Sequence, residues 1–409
     1  MTVTAPPRLP PPPERETPDD LEALIEEARR RARRRRFRNA GVALGVGAII
    51  LAGFGAQFFG GAGSTTKATA HLPSPPMPTR LRPRPLPENG DIALVQDDPL
   101  RGRALVAKSP DGSKTRVLAG CPGRPPYGEC NFGSFAWSPD GRYIAFLAGH
   151  IGGAITRTNL YLYVVGANGG RVRELARCGV CNSQERLAWS PDSRWLAFAA
   201  DTGLYAVDIA RGTLRPLGVS SRGAMAAWSP SGSRIAFTSD RHLYSVRPDG
   251  SGLARIATLH QPSSLVDLDW SPDGTRIVFD GSDSIYVVDA DGSHLKELLG
   301  GGIGSGPGVP SWSPNGRRIL YVNTPRTSGH STGGVWSMRP DGSDRRLLYN
   351  EGCCVGLWSP PIWSPDGRWI AFAGATESDG VVVMDADGRH RRHLHDLLPS
   401  ALAWQPLAR

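Results

Sequence analysis

Two aspartates that are spaced to act together precede one of the tryptophans of this chain. Asp267 and Asp269 lie in the segment LVDLDW, which ends at Trp270. In an extended strand, side chains two positions apart point to the same side. The two carboxylates could therefore bind a cation or a basic ligand together. The other interpretation is that water or hydrogen bonds from a neighbouring segment satisfy them.

The elements that must position these aspartates belong to a repeat. The phrase FAWSPDGRYIAF, residues 135–146, recurs with variations, and its tryptophan returns at intervals of 39 to 52 residues. The repeated tryptophans are Trp137, Trp189, Trp228, Trp270, Trp312, Trp363 and Trp404. Such intervals are typical of a four-stranded propeller blade.

Each interval contains four short alternating apolar segments separated by Ser-Pro-Asp-Gly or Asp-Ala-Asp-Gly turns, which indicates four antiparallel strands. One such sheet cannot bury both of its faces, whereas a closed ring of sheets can. We expect each tryptophan to fill the wedge between adjacent blades as a structural residue.

The two ends of the repeat region predict how the ring closes. Segments 91–96, 103–109 and 114–120 correspond to the second, third and fourth strands of a blade, and 400–406 corresponds to a first strand. The C-terminal strand should therefore complete the N-terminal blade. The sequence predicts an all-β fold, a seven-bladed β-propeller, with six blades as the alternative if one unit is degenerate.

The motif WSPDGxxIAF followed by LYVVDADG resembles the repeats of TolB-type propellers, distant relatives of WD-repeat proteins, over residues 90–406. The resemblance implies the fold and, since TolB is a periplasmic partner-binding protein, a binding role. TolB's own partners do not follow from it. Related propellers also accompany the α/β-hydrolase domain of prolyl oligopeptidase-like enzymes, but we see no such domain here. We therefore predict no catalytic residue, metal or cofactor.

The region before the repeats predicts a membrane anchor. Residues 40–63 contain a single strongly polar side chain, Gln57, and eight arginines lie between Arg29 and Arg38. The segment is long enough to cross a bilayer, and the arginines place the N-terminus in the cytoplasm. A cleaved signal peptide is the alternative.

The chain therefore divides into five predicted parts. Residues 1–18 form a disordered cytoplasmic tail, 19–39 a basic juxtamembrane helix, and 40–63 the membrane-spanning helix. Residues 64–89 form a proline-rich stalk, and 90–409 form the propeller outside the cytoplasm. The net charge of +9 is unevenly placed: residues 1–39 hold +3, and the excess of +6 in the rest of the chain is interspersed. No basic face with stacking aromatic residues is visible, so we expect no nucleic-acid binding.

Six cysteines lie in three close pairs in predicted loops: Cys121 with Cys130, Cys178 with Cys181, and Cys353 with Cys354. Outside the cytoplasm, cysteines this close are expected to form disulfides. A zinc site made from the first two pairs is the alternative.

The loops that follow second and fourth strands should emerge on one face of the ring. They hold every cysteine and two insertions, 148–159 and 323–334, which closure of the ring would bring to one arc. Binding evolves on such loops, although long loops can also be merely tolerated. The candidate binding residues there are Arg124, Tyr127, His150, Arg157, Arg326, His330 and Trp358.

Together these features predict a single-pass membrane protein whose propeller lies outside the cytoplasm. Its expected role is to bind a protein, peptide or cell-wall ligand on the loop-rich face. One alternative is an enzyme at the channel mouth, as in some propeller lyases and lactonases. Another is a transmembrane sensor that signals through residues 19–38.

Overall fold

The structure is a computed structural model. It describes residues 88–98, 102–122, 130–150, 159–177, 186–200, 203–218, 225–239, 241–259, 265–281, 283–300, 307–323, 334–350, 360–373, 380–394 and 401–407. The predicted tail, both predicted helices and the stalk up to residue 87 lie outside these residues. Within the described stretches, no helix has the length and hydropathy needed to cross a membrane.

The described residues form seven sheets of four antiparallel strands, which we number as blades in chain order. Blade 1 contains β28 (Leu402–Leu407), β1 (Glu88–Asp98), β2 (Gly102–Lys108) and β3 (Thr115–Gly120). Blade 2 contains β4 (Cys130–Trp137), β5 (Tyr143–His150), β6 (Asn159–Gly166) and β7 (Arg173–Arg177). Blade 3 contains β8 (Ala188–Trp189), β9 (Trp195–Ala200), β10 (Gly203–Asp208) and β11 (Leu214–Pro216).

The remaining four blades follow the same order. Blade 4 contains β12 (Ala226–Trp228), β13 (Ile235–Ser239), β14 (His242–Val246) and β15 (Ala254–Thr258). Blade 5 contains β16 (Leu265–Trp270), β17 (Arg276–Gly281), β18 (Ser284–Asp289) and β19 (Lys296–Gly300). Blade 6 contains β20 (Pro307–Trp312), β21 (Ile319–Asn323), β22 (Gly334–Met338) and β23 (Arg346–Tyr349). Blade 7 contains β24 (Ile362–Trp363), β25 (Trp369–Ala373), β26 (Val381–Asp385) and β27 (Arg392–Leu394).

The C-terminal strand closes the ring as predicted, and the ring has seven blades. Strand β28 is the first strand of blade 1 and pairs with β1, where Trp404 lies opposite Ile92. The Gln405 amide Nε2 donates to the carbonyl oxygen of Gly141 in blade 2 at 2.9 Å. The first sheet begins slightly earlier than expected, because β1 starts at Glu88 within the predicted stalk.

The core is divided among the junctions between blades. Each of the seven junctions has its own cluster of buried apolar side chains, including the one that joins blade 7 to blade 1. The repeated tryptophans pack into these clusters against the preceding blade. The indole Nε1 of Trp189 donates to the carbonyl oxygen of Ala136 at 3.0 Å, and that of Trp270 donates to Ala227 at 3.1 Å. The tryptophans thus fill the wedges between blades.

The two faces of the ring differ. We call the side formed by the turns after first and third strands the turn face, and the opposite side the loop face. In the first such turn of blade 2, the Ser138 hydroxyl donates to Asp140 Oδ1 at 2.6 Å and the Gly141 N–H donates to the Ser138 carbonyl oxygen at 2.8 Å. Gly141 has a φ of 68°, which favours glycine. The turn face is therefore built from short, internally bonded turns.

Candidate functional site

The innermost strands present one side to the space that the ring encloses, which we call the central channel. The residues one and three positions before each blade tryptophan are half-buried, except for the buried Asp267, whereas the residue two positions before is buried. The channel-facing positions are Ser134, Ala136, Arg186, Ala188, Met225, Ala227, Asp267, Asp269, Val309, Ser311, Pro360, Ile362, Ala401 and Ala403. Among these fourteen positions, only blades 3 and 5 supply charged groups.

Those charges meet across the channel. A guanidinium nitrogen of Arg186 in blade 3 lies 3.0 Å from Asp267 Oδ2 in blade 5, and the Asp267 side chain is only 6% exposed. Blade 4 separates the two, and the backbone N–H of Arg186 contacts the sulfur of Met225 there at 3.4 Å. The ion pair therefore links three consecutive blades on the channel side.

A third carboxylate joins the group from the second strand of blade 5. Asp280 is buried and accepts two backbone N–H groups, from Asp267 at 2.6 Å and from Val309 of blade 6 at 2.9 Å. Val309 has a φ of 55°, an uncommon conformation for a β-branched residue. Asp269 Oδ2 accepts the N–H of Trp312, also in blade 6, at 2.8 Å. The junction between blades 5 and 6 is thus held by two carboxylates.

Burial sets the protonation behaviour of these carboxyl groups. Desolvation raises the pKa of Asp269 to about 6, against the hydrogen bond from Trp312 and the attraction of Arg186. Desolvation, together with repulsion from Asp267, raises the pKa of Asp280 to about 6. The pKa of Asp267 is raised by desolvation as well, although Arg186 opposes the shift. Burial therefore raises the pKa of all three carboxyl groups above the usual range of an aspartate.

The two predicted aspartates are satisfied by neighbouring groups, which is the second of the two interpretations given for them. Asp267 is paired with Arg186, and Asp269 is hydrogen-bonded to the neighbouring blade. In the part of the chain that the structure describes, no group of three or more His, Cys, Asp or Glu side chains could hold a metal ion. The half-buried Asp269 is the member of the cluster that a channel ligand could reach.

Sequence reasoning missed Asp280 and Arg186, although a signal existed for both. Asp280 follows the aromatic residue of its second strand, a position that other blades fill with uncharged residues: Leu147, Ala199, Thr238, Val322 and Ala373. Arg186 occupies the same repeat position as Asp267, three residues before a blade tryptophan. Comparing equivalent positions between blades would have identified both.

The predicted loop residues fall largely beyond the described stretches. Arg124, Tyr127, Arg157, Arg326, His330 and Trp358 lie outside them, and His150 is described only as the last residue of β5. These residues remain predictions.

The cysteines are also only partly described. Cys121 directly follows β3 and is disulfide-bonded, which argues against the zinc alternative for this residue. The side chains of the other five, Cys130, Cys178, Cys181, Cys353 and Cys354, lie outside the described residues. The predicted pairing within each close pair therefore remains a prediction.

The lengths of the loop-face connections are asymmetric around the ring. Second and third strands are joined by two residues in blades 3, 4 and 5, namely 201–202, 240–241 and 282–283. The equivalent connections are 151–158 in blade 2, 324–333 in blade 6 and 374–380 in blade 7. The long connections thus belong to blades 6, 7 and 2, which form one arc with blade 1 between blades 7 and 2. The long connection of blade 7 was not predicted from the sequence.

One of these connections also matches a catalytic motif by its letters. Residues 329–333 read GHSTG, a Gly-x-Ser-x-Gly pattern. In α/β-hydrolases this pattern forms a strand-to-helix elbow. Here it lies in the connection between β21 and β22, which pair with each other in one antiparallel sheet. The match is therefore not in the context that a hydrolase needs.

Solved structures of several proteins have a similar fold. TolB from Acinetobacter baumannii is 20% identical, with 78% of this chain and 68% of that chain covered and a TM-score of 0.49. The periplasmic gluconolactonase of Pseudomonas aeruginosa is 16% identical, with 78% and 99% covered and a TM-score of 0.53. An oligogalacturonate lyase in complex with manganese is 15% identical, with 76% and 86% covered and a TM-score of 0.53. No curated protein matches the chain significantly.

At these identities the likeness establishes the fold alone, so the described part of the chain is a seven-bladed β-propeller. The amino-acid sequence adds a match to one family within the propeller class. Residues 224–408 match the family model of the TolB beta propeller domain. The resemblance carried by the WSPDG repeats is thereby confirmed.

Proposed function

We propose that this protein is a membrane-anchored binding scaffold outside the cytoplasm, and that its ligand contacts the loop face on the arc of blades 6, 7, 1 and 2. The observation that carries the proposal is the asymmetry of connection lengths. Three blades on this arc have extended second connections, whereas blades 3, 4 and 5 make the same link with two residues. Loops of variable length on a rigid scaffold are the usual location of binding sites.

We expect the ligand to be a protein or peptide, because the repeats resemble those of TolB, which binds partner proteins. The rest of the described scaffold supports this role. Its blades are held by seven separate apolar clusters, and its turn face consists of short, internally bonded turns. Such a ring can hold the loops in fixed positions, while the loops themselves determine which ligand binds.

The test uses the full chain in its native membranes, with a photo-crosslinking amino acid at Ser328 or, as a control on the turn face, at Ser231. We expect a discrete cross-linked adduct only from position 328. A second variant replaces residues 324–333 with a two-residue turn like 240–241, and a matched control lengthens 240–241 with glycine and serine. A photo-crosslinking amino acid placed in the blade 7 connection should no longer form the adduct when the blade 6 connection is shortened. It should still form the adduct in the control with the lengthened blade 4 connection. Equal adducts from both faces would refute the proposed site.

Anchoring is tested separately. Alkaline carbonate should leave the chain in the membrane, and external protease should release the propeller. Leu51→Arg, near the centre of the apolar segment, should abolish retention because a charge at that depth costs about 2.5–3.5 kcal/mol. Extraction of the unaltered chain by carbonate would refute the anchor.

A second candidate function, an enzyme acting in the channel, is favoured by the buried carboxyl cluster, since carboxyls with raised pKa values occur at catalytic sites. The test is incubation of the protein with gluconolactone and with oligogalacturonate, the substrate classes that the similar propellers suggest. Turnover that Asp269→Asn abolishes would support catalysis. Turnover that is unchanged by this substitution would place any activity elsewhere.

A further inference from the structure

The segment that precedes the propeller joins it on the turn face. Strand β1 begins at Glu88, opposite Leu407, the last residue of β28 and the point where other first strands lead into their turns. Asn89 Oδ1 accepts the backbone N–H of Asp366, in the first turn of blade 7, at 3.1 Å. Gln405 reaches the corresponding turn of blade 2 through Gly141. The described chain therefore begins on the turn face, at Glu88, between the first turns of blades 7 and 2.

Exposed apolar side chains gather on this same face. Seven large apolar residues are exposed among the described residues, and five of them lie in turns after first or third strands or at the strand ends that adjoin them. These five are Tyr143, Leu214, Leu253, Leu295 and Leu407. The five lie on five different blades, and two of them, Tyr143 and Leu214, belong to blades 2 and 3.

The charges of the turns are sorted by exposure. The side chain of Arg142 is 78% exposed and pairs at 4.0 Å with Asp140 of the same turn, which is 33% exposed and accepts internal hydrogen bonds. In blade 3, Asp208 is only 2% exposed and pairs with Arg194 at 3.2 Å and with Arg211 at 3.6 Å, whose side chains are 52% and 69% exposed. The carboxylates thus turn inward to the backbone, and the guanidinium groups point outward.

Blades 2 and 3 carry this asymmetry furthest. The third-strand turns of the other five blades have an exposed aspartate at their tip, at 111, 249, 291, 341 and 387. In blades 2 and 3, Asn168 and Ala210 occupy this position. The turns of these two blades and the strand residues that adjoin them carry six exposed arginines, and only Asp192 and Glu174 are exposed carboxylates there. The arginines are Arg142, Arg171, Arg173, Arg194, Arg211 and Arg215.

Some of these arginines are held in place without being neutralised. Arg173 donates to the backbone carbonyl oxygens of Ile209 and Ala210 in the next blade. Arg215 donates to the Pro248 carbonyl oxygen at 3.2 Å and lies over the ring of Trp195. A carbonyl oxygen carries no net charge, so each guanidinium keeps its charge at a fixed place on the surface.

We propose that the turn face of blades 2 and 3 docks on an anionic phospholipid surface, the membrane in which the N-terminal segment is anchored. This inference rests on the proposed anchoring. Arginines with neighbouring tyrosine and leucine match the interfacial region, where cations meet headgroup phosphates and apolar side chains enter the acyl boundary. The proline-rich residues 64–87 would reach about 75 Å as a polyproline II chain, so the tether keeps the propeller near the membrane and allows it to reach the surface.

Docking by this face has a directional consequence. The turn face and the loop face are opposite sides of the ring, since successive strands of each sheet are antiparallel. With blades 2 and 3 on the headgroups, the long connections of blades 6 and 7 point away from the membrane. The ligand proposed above is then taken from the side opposite the bilayer.

The test measures energy transfer from a fluorophore at Thr213, in the turn of blade 3, to an acceptor lipid, using the full chain in vesicles. Vesicles of phosphatidylcholine with 30% phosphatidylglycerol are compared with phosphatidylcholine alone. We expect high transfer only with the anionic lipid, and loss of transfer in 0.5 M salt because exposed charges are screened. Equal transfer in both lipids would overturn the inference.

Paired charge reversals locate the surface. Arg171→Glu with Arg215→Glu should lower the ratio of docked to free propeller at least about 30-fold, at roughly fivefold or more for each cation lost. Arg103→Glu with Arg241→Glu, on exposed residues of the loop face, makes the same change in net charge and should leave the ratio unaltered. Equal effects of the two pairs would show that net charge alone matters and would overturn the inference.

The outcomes separate docking from anchoring. A chain that resists carbonate but shows low transfer in every lipid is anchored and does not dock. If carbonate extracts the chain, anchoring fails, and docking is then decided by sedimentation of both double variants with anionic vesicles. The arginines between positions 29 and 38 are present in both variants and cancel in that comparison.

Discussion

Replacing Asp269 by asparagine should stabilise the protein at neutral pH. The asparagine Oδ1 can still accept the Trp312 N–H, which Asp269 now accepts at 2.8 Å, so the substitution removes a charge and keeps the hydrogen bond. Burial raises the pKa of Asp269 from 3.8 to about 6, and this difference corresponds to about 3 kcal/mol between the charged and neutral forms. The variant should therefore gain about 3 kcal/mol at pH 7.5.

The gain should depend on pH in a defined direction. Because the pKa is higher in the folded state, the folded protein binds the proton more tightly, and stability falls as the pH rises from about 4 to 6. Below this window the carboxyl is protonated in the folded protein and resembles the amide. Two-thirds or more of the 3 kcal/mol should thus appear between pH 4 and pH 7.

The assay is urea unfolding of the detergent-solubilised full chain, followed by tryptophan fluorescence at pH 4, 5, 6 and 7.5. Asp366→Asn is the matched control with the opposite sign. Despite desolvation, the Ser364 hydroxyl and the Arg368 N–H lower the pKa of Asp366, so this variant should be less stable than the unaltered chain at pH 7.5. If Asp269→Asn is destabilising, or if its effect is the same at every pH, burial does not control this carboxyl group.

Two further substitutions test the ion pair and the closure of the ring. Arg186→Ala should cost about 2–3 kcal/mol at pH 7.5 by leaving Asp267 buried without its cation, and the same urea titration should show most of this loss recovered near pH 4. Gly141→Ala should lower the melting temperature far more than Gly212→Ala: both glycines have a φ of 68°, but only at Gly141 would the added methyl meet the backbone of Pro406. Equal losses at the two glycines would show that this closure contact contributes nothing.

The sequence predicted the fold well because the repeat encodes both period and register. The spacing of the tryptophans defined the blades, and the unmatched strands at 91–120 and 400–406 predicted how the ring closes. The repeat itself is local and recurs often enough to be recognised without an alignment. The chain before residue 88 could be interpreted only from hydropathy and charge, and that interpretation still depends on the experiments above.

The candidate site was only half predicted, for a physical reason. Asp267 and Asp269 stood out because they share one strand with a tryptophan, whereas Asp280 and Arg186 come from other strands and join them only through the ring. Sequence spacing does not reveal that blades 3 and 5 meet over the channel. The raised pKa values have the same origin, since the burial that causes them is a property of the closed ring.

Blade 1 combines the first three strands of the propeller with its last strand, so the order in which the chain is synthesised affects how this blade forms. The hydrogen bond from the Asp91 N–H to the side chain of Gln405 joins residues 314 positions apart. Until β28 arrives, β1 has an unpaired inner edge, and such edges are sites of aggregation. Contacts between distant residues also form slowly. We therefore expect the growing chain to need protection at β1 until the last strand is in place. A chaperone could give this protection, or blades 2 to 7 could, since they are made before β28.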